Sequence, residues 1–224
     1  MVFSILGGFE DQRLTRAVDE VWPLFRDLRS VLWRFPACVL ARGMGFPVDE
    51  LLSIAGCVED FTLCIAPRAD LASRFDSGNV AAEQLWNCFS GGASTPAEIA
   101  NRIGILSQAC EATAGLIGNS IAGFPATVDE VSRLDPAVQN TRRFTAAPST
   151  TIQGVTVDAG STVLVILART FPNGAGRHEC AAFGLATAIA GHGVSRISRN
   201  IRPIGYRPSP NTRIPEFEPQ ELKQ

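Results

Sequence analysis

The sequence predicts a mainly α-helical chain with a small β-sheet, an α+β fold, and two observations support this. Before residue 123, apolar residues recur every three or four positions in several separate runs, which is typical of amphipathic helices. Between residues 150 and 168 the pattern changes to alternating and β-branched residues around a glycine turn, which indicates strands. A chain of 224 residues can form one substantial domain or two small ones, and we expect one domain over residues 1–224.

The composition argues against several classes of protein. A formal net charge of −2 gives no reason to expect binding to nucleic acid or to an anionic membrane. No run of about eighteen apolar residues could span a bilayer, and residues 1–9 lack the pattern of a signal peptide. The six cysteines include no Cys-x-x-Cys pair, so we expect reduced, mostly buried thiols in a cytoplasmic protein.

A helical run over residues 10–34 comes first. Apolar residues recur along it at helical spacing, with charged residues between them. Pro23 lies inside the run, so the sequence fits either one kinked helix or two shorter ones. Pro36 is then expected to break the pattern.

More helices are predicted before residue 123. A short apolar helix over residues 36–45 ends at a glycine. Thr95 and Pro96 form a cap and first position for a long apolar helix. The later helices are expected over residues 46–64, 78–90 and 96–122, and Pro67 is expected to close the first of them.

The segment Asn173–Cys180 reads Asn-Gly-Ala-Gly-Arg-His-Glu-Cys. Gly174 and Gly176 allow a sharp turn and a close approach of the backbone to a flat ligand. Arg177 and His178 supply cationic groups that suit carboxylates.

Cys180 directly precedes an apolar run over residues 181–190 that is typical of a helix. A thiolate at a helix N-terminus is stabilised by the helix dipole and the free N–H groups there. The segment could therefore hold haem through an axial cysteine. The alternative is a glycine turn before a buried helix, with an inert cysteine.

Glu111 lies among small residues in the middle of the predicted helix 96–122, followed by Ala112 and Thr113. Small residues permit the close approach of a flat cofactor, and an acid beside a hydroxyl can relay protons into a buried site. The alternative is a helix-packing face of small residues with a solvated Glu111.

Glu130 and Arg133 are one helical turn apart and can pair, which is by default a surface ion pair. Arg142 and Arg143 follow shortly after this pair. Residues 155–157 and the run after Asp158-Ala159-Gly160 are predicted to form two strands around that turn.

In this order, the segments resemble the cytochrome P-450 family. Its haem-binding loop has the form Phe-Gly-x-Gly-x-His-x-Cys-Pro-Gly, and its oxygen-activating helix has an acid followed immediately by threonine. Here Ala112 stands at that next position. The loop is matched by Gly174, Gly176, His178 and Cys180, and departs from the pattern at Asn173, Ala181 and Ala182.

The resemblance implies a truncated cytochrome P-450-like fold that binds haem b (iron protoporphyrin IX), with a strand after the Glu130 helix and closing strands in residues 206–215. Cys180 would be the iron ligand. His178 and Arg143 would bind the haem propionates, with Arg142 as the alternative to Arg143 and Arg177 as support. Glu130 and Arg133 would form a structural pair. Glu111 and Thr113 would deliver protons.

The implied activity is a monooxygenase or peroxygenase reaction on a small organic substrate. Electrons would come through ferredoxin and ferredoxin reductase, or peroxide would replace them. The chain is about half the usual family length and lacks much of the N-terminal third and internal segments. A non-catalytic haem-binding or interaction module, or an apolar small-molecule carrier, is therefore the alternative. The apolar surface left by such deletions would favour a homo-oligomer.

Overall fold

The computed structural model describes residues 11–65, 71–91, 95–122, 127–146, 149–198, 200–207, 209 and 211–222. Helices dominate this part of the chain, and the strands are short, which confirms the mainly α fold with small β-sheets. The helices are α1 (Asp11–Val21), α2 (Leu28–Gly43), α3 (Leu51–Ile65), α4 (Leu71–Phe89), α5 (Pro96–Ala122), α6 (Val128–Leu134) and α7 (Phe183–Val194).

The strands form antiparallel pairs. They are β1 (Asn140–Phe144), β2 (Thr150–Ile152), β3 (Val155–Val157), β4 (Thr162–Ile166), β5 (Gly205–Arg207) and β6 (Ile214–Glu216). β1 pairs with β4, β2 with β3, and β5 with β6.

The strand, turn and strand predicted around residues 158–160 form as β3 and β4, but these two strands do not pair with each other. Instead β3 folds back on β2 through Gln153 and Gly154, whose φ angles of 48° and 81° suit a tight hairpin turn. β4 then returns to pair with β1, so that Arg143 lies opposite Val163. The sequence alternation identified the strands but not their partners.

Pro23 and Pro36 have different effects. A short 3₁₀ turn over Trp22–Leu24 follows α1, so the first helical run is divided near Pro23. The prediction that Pro36 breaks the helix was wrong, because α2 runs through it. A proline in a helix interior costs about 3 kcal/mol, but burial of a large neighbour such as Phe35 stabilises by about 1.5–3 kcal/mol. Nearly every side chain of α2 around Pro36 is buried, so burial outweighs this cost.

The α4 helix begins before the predicted residue 78, and Pro67, expected to close the preceding helix, lies outside the described residues. None of the helices in the described ranges is long and apolar enough to cross a membrane.

Helix α5 is the central element, and residues 113–121 form an unbroken buried stretch within it. It packs against α2, α7 and β6. Two glycines allow close approach. A Cβ atom on Gly115 would lie 2.7 Å from the Ala137 Cβ and from the Arg213 carbonyl oxygen, and one on Gly118 would lie 2.8 Å from Pro215 Cδ.

We expect Gly115→Ala to be less stable than Gly104→Ala, which makes the same change in the same helix. At Gly104 a methyl group meets nothing closer than 3.8 Å, so the gain in helix propensity of about 1 kcal/mol is retained. At Gly115 an overpacking cost of about 1–3 kcal/mol opposes that gain. Urea unfolding of both variants measures the difference, and equal free energies of unfolding would contradict the packing argument.

Candidate functional site

The segment that contains Cys180 is a loop closed by its own backbone. The Gly174 N–H donates to the Phe171 carbonyl at 2.9 Å, and the Cys180 N–H donates to the Asn173 carbonyl at 2.8 Å. Gly174 has a φ angle of +79°, and a Cβ atom there would lie 2.3 Å from the His178 carbonyl oxygen. Only glycine fits this position, so the loop conformation follows from the local sequence.

Cys180 is exposed and precedes α7. The helix begins at Phe183, two residues later than the sequence predicted, because Ala182 has non-helical dihedral angles. The Phe183 N–H donates to the Cys180 carbonyl at 3.2 Å. The thiol therefore lies just before the N-terminus of a twelve-residue helix rather than on its first turn.

A cavity of about 860 Å³ separates the Cys180 loop from α5. Small residues of α5 line one wall, among them Gly104, Ala109 and Ala112. The loop, the start of α7 and the β1–β4 pair line the rest. The cavity therefore has a close-packed, largely apolar helix facing a thiol.

The cavity brings together five of the predicted site residues and leaves six outside its lining. Those that line it are Thr113, Arg143, Gly174, His178 and Cys180. Those that do not are Glu111, Glu130, Arg133, Arg142, Gly176 and Arg177.

Strand alternation separates the two arginines of β1. Arg143 lies on the cavity side with Thr141, and its Nη1 donates to the Thr141 Oγ1 at 2.5 Å. Arg142 lies opposite Leu164 on the other face of the pair. That outer face also carries Phe144, and both apolar side chains are exposed. Of the two candidate arginines, the structure places Arg143 at the cavity.

Glu111 and Thr113 lie on different sides of α5. Two helical positions correspond to a rotation of about 200°, so the two side chains cannot share a face. Glu111 accepts a hydrogen bond from the Ser209 hydroxyl at 2.9 Å, outside the cavity lining. Thr113 is 1% exposed and lines the cavity, and its Oγ1 is buried without a hydrogen-bond partner.

Glu130 and Arg133 have other partners than the expected ones. Glu130 accepts hydrogen bonds from the Thr127 N–H at 2.8 Å and the Thr127 hydroxyl at 2.9 Å, which forms a capping box at the start of α6. These bonds hold the pKa of Glu130 below its ordinary value. Arg133 forms its ion pair with Asp129 at 2.7 Å.

Asn140 is a cavity residue that was not predicted from the sequence. It is the first residue of β1, lines the cavity, and has a buried Oδ1 atom without a hydrogen-bond partner. No motif marks it.

All six cysteines are free, but only Cys38 and Cys110 are buried. Burial raises the pKa of both thiols to about 12. The expectation of mostly buried thiols therefore holds for these two alone. Cys180 differs from them in being exposed and in lining the cavity.

Neither the family models nor the curated proteins include a match to this sequence. Solved structures do match the fold. Cytochrome P450 RauA, complexed with a biosynthetic intermediate of aurachin RE, is 19% identical with a TM-score of 0.74, and the match covers 99% of this chain and 74% of that one.

Two further structures show the same relation. P450BioI, in complex with an acyl carrier protein ligated to hexadec-9Z-enoic acid, is 18% identical with a TM-score of 0.70, over 99% of this chain and 78% of that one. CYP109E1 from Bacillus megaterium, in complex with corticosterone, is 16% identical with a TM-score of 0.68, over 98% and 81%. The TM-scores, over nearly all of this chain, show that the backbone arrangement is shared although the sequence identity is low.

The capping box of Glu130 predicts an acid-sensitive contribution to stability. Because the folded-state pKa lies below the ordinary value of 4.5, the contribution is present above about pH 4.5 and is lost as the pH falls through the folded-state pKa. Glu130→Gln keeps an acceptor for the box but does not titrate. We therefore expect the wild type to lose stability relative to this variant on acidification.

Urea unfolding at pH 6 and pH 3.5 measures the difference. Glu98→Gln provides a parallel case, because Glu98 accepts the same two hydrogen bonds from Thr95 at the start of α5. If the wild type and Glu130→Gln lose stability equally between the two pH values, the carboxylate does not contribute through the box.

Proposed function

We propose, on the premise that this chain has the cytochrome P450 fold, that it binds haem b through Cys180 and oxidises a small organic substrate. The observation that carries the proposal is the shared cavity, in which the Cys180 loop faces the small residues of α5. The reaction would be of the monooxygenase or peroxygenase type.

The residues at the cavity fit an iron protoporphyrin. Cys180 offers a thiolate ligand, and Arg143 and His178 line the same cavity and can bind carboxylates. Gly174 has no side chain that would collide with the His178 carbonyl, so the loop can keep the conformation in which Cys180 lines the cavity. Thr113 lines the opposite wall, and its hydroxyl is buried there without a hydrogen-bond partner.

When bound, the thiolate-ligated haem supplies the oxidising chemistry, because the thiolate favours O–O cleavage. Arg143 would hold a propionate with its planar guanidinium, which suits a carboxylate better than an ammonium group does. His178 would bind a propionate when protonated, and Arg177 would add positive charge nearby. Glu130 and Arg133 would fix the α6 end of the site through their bonds to Thr127 and Asp129.

Thr113 and Glu111 would share proton handling. In the proposed site, Thr113 holds and transfers a proton at Oγ1 within the cavity. Glu111 is the acid behind it, on the far side of α5 and hydrogen-bonded to Ser209. Ala112 brings no hydroxyl to the cavity, so the proposed relay lacks the acid followed directly by threonine that the family's helix has. This difference favours peroxide as the oxidant over oxygen with electrons from a ferredoxin partner.

A second candidate function is a non-catalytic haem-binding module. The exposure of Cys180 favours it, since a solvent-accessible thiolate ligand would be open to protonation and displacement. The two candidates share haem binding and differ in turnover. Both predict a thiolate-ligated haem that depends on Cys180.

We expect the protein reconstituted with haem, reduced and exposed to carbon monoxide, to show a strongly red-shifted Soret band that Cys180→Ala abolishes. The control is Cys88→Ala, which removes an exposed cysteine outside the cavity lining and leaves the band unchanged. A spectrum without haem, or a red-shifted band that survives in Cys180→Ala, would contradict the proposal. Turnover with peroxide then separates the two candidates.

Arg143→Ala is expected to weaken haem binding roughly 10- to 100-fold, because a hydrogen-bonded charged partner of the propionate is lost. Arg142→Ala is the matched control, one residue away on the outer face of the same strand. Titration of haem into both variants, followed at the Soret band, gives the two affinities. Equal losses in both would show that general positive charge, rather than position, accounts for binding.

A further inference from the structure

One polar side chain lies in the middle of the α5 face that lines the cavity. The α5 residues of the lining recur at helical spacing, and Asn101, Ile105, Gln108 and Ala112 follow one line along that face. Residues three or four positions apart project from the same side of a helix. Gln108 therefore projects into the cavity from the central stretch of this wall.

The amide of Gln108 is accessible. The residue is exposed and lines the cavity, and its Nε2 atom lies 3.8 Å from the position of a Cβ atom on Gly104, one turn earlier in the lining. Because Gly104 has no side chain, nothing of that residue covers the amide. Among the residues that the structure describes, none forms a hydrogen bond with this amide. A molecule in the cavity can thus reach it.

The wall around Gln108 is uncharged. Ile105 and Ala109 flank it in the lining, and no described α5 residue of the lining carries a charge. The basic residues of the described lining, Arg143 and His178, lie on β1 and in the glycine loop and are the proposed propionate ligands. An anionic group at Gln108 would lose hydration without a counter-charge, whereas a neutral carbonyl needs only the N–H donors of the amide.

The position of Gln108 along α5 sets the length of a molecule that it can anchor. Gln108 lies five residues before Thr113, which corresponds to about 7.5 Å along the helix axis. Small residues of the lining, Ala109 and Ala112, occupy the interval. A molecule held at Gln108 by a polar end can therefore lay an apolar body of about this length against α5, with its far end beside Thr113.

We propose that Gln108 determines substrate specificity by donating a hydrogen bond from Nε2 to the carbonyl oxygen of a neutral, otherwise apolar substrate. This inference rests on the proposed function, because it places that substrate in the same cavity as the haem. The substrate class is thus an apolar ketone, ester or lactone rather than a carboxylate or a plain hydrocarbon. Gln108 acts by orienting the molecule, and it takes no part in the proton transfer.

The test compares 4-tert-butylcyclohexanone with 1-tert-butyl-4-methylidenecyclohexane, in which a C=CH₂ group replaces the C=O group. Headspace partition of the two volatile probes gives their affinities for the haem-reconstituted protein. The ratio of ketone affinity to hydrocarbon affinity should be about 3- to 10-fold higher in the wild type than in Gln108→Met. Comparing the ratios cancels the hydration of the free probes, because it is the same for both proteins.

Gln108→Glu separates donation from acceptance. The glutamate side chain has the same length, but when ionised it only accepts hydrogen bonds, so its ratio should fall to that of Gln108→Met or below. Gln12→Met is the matched control, since it makes the same change at an exposed glutamine of α1 outside the cavity lining, and it should keep the wild-type ratio. Circular dichroism verifies folding, and Gln108→Glu tests the inference if Gln108→Met fails to fold.

Three results would overturn the inference. Equal ratios in the wild type and Gln108→Met are expected if the amide keeps its water or contacts only the haem. A wild-type ratio in Gln108→Glu would exclude donation, because a carboxylate has no hydrogen to donate. An equal fall in Gln12→Met would show that the effect does not arise in the cavity.

The Soret band separates this inference from the proposed function. If haem is retained but the ratio does not depend on Gln108, the specificity assignment fails and the haem proposal stands. If no haem is retained, the same partition measurements on the haem-free protein decide the role of Gln108. A carbonyl preference that depends on Gln108 would then support the subsite alone, and its absence would overturn both proposals.

Discussion

Close packing against the C-terminal half of α5 is the constraint on which the rest of the structure depends. Gly115 and Gly118 let the chain around Ala137 and Pro215 lie directly on the helix. Hydrogen bonds fix this contact, since Asn119 Nδ2 donates to the Asp135 carbonyl at 2.8 Å and the Arg213 N–H donates to the Ala137 carbonyl at 2.8 Å. Because β1 begins three residues after Ala137, this packing sets where the strand enters the cavity wall.

The same helix divides the candidate chemistry between two environments. Thr113 faces the cavity, whereas Glu111 bonds to Ser209 on the other side. The neighbouring Cys110 is buried, and its sulfur donates to the Trp33 carbonyl at 3.4 Å. One turn of α5 thus provides a cavity wall, a polar contact with the C-terminal segment and a contact with α2, which ties the cavity to the core.

Features set by local geometry were predictable from the sequence, and features set by distant contacts were not. The glycine loop before Cys180 was recognisable because a positive φ at Gly174 is a local requirement. Strand alternation alone could not choose between Arg142 and Arg143, since the inward face depends on how β1 lies against α5. The helix break expected at Pro36 was wrong because that helix is buried on nearly all sides. Asn140 was not predicted because the burial of its side chain depends on the fold and not on its residue type.

The β1–β4 pair has two faces that can be altered independently. Its inner face carries Thr141 and Arg143 at the cavity, while Phe144 and Leu164 are exposed on the outer face. Among the residues that the structure describes, no further strand pairs with either edge of this two-stranded ribbon, and an apolar ribbon with open edges is prone to associate with other chains. Protein engineers can therefore replace the outer pair with charged residues to improve handling at high concentration, without altering a residue that lines the cavity.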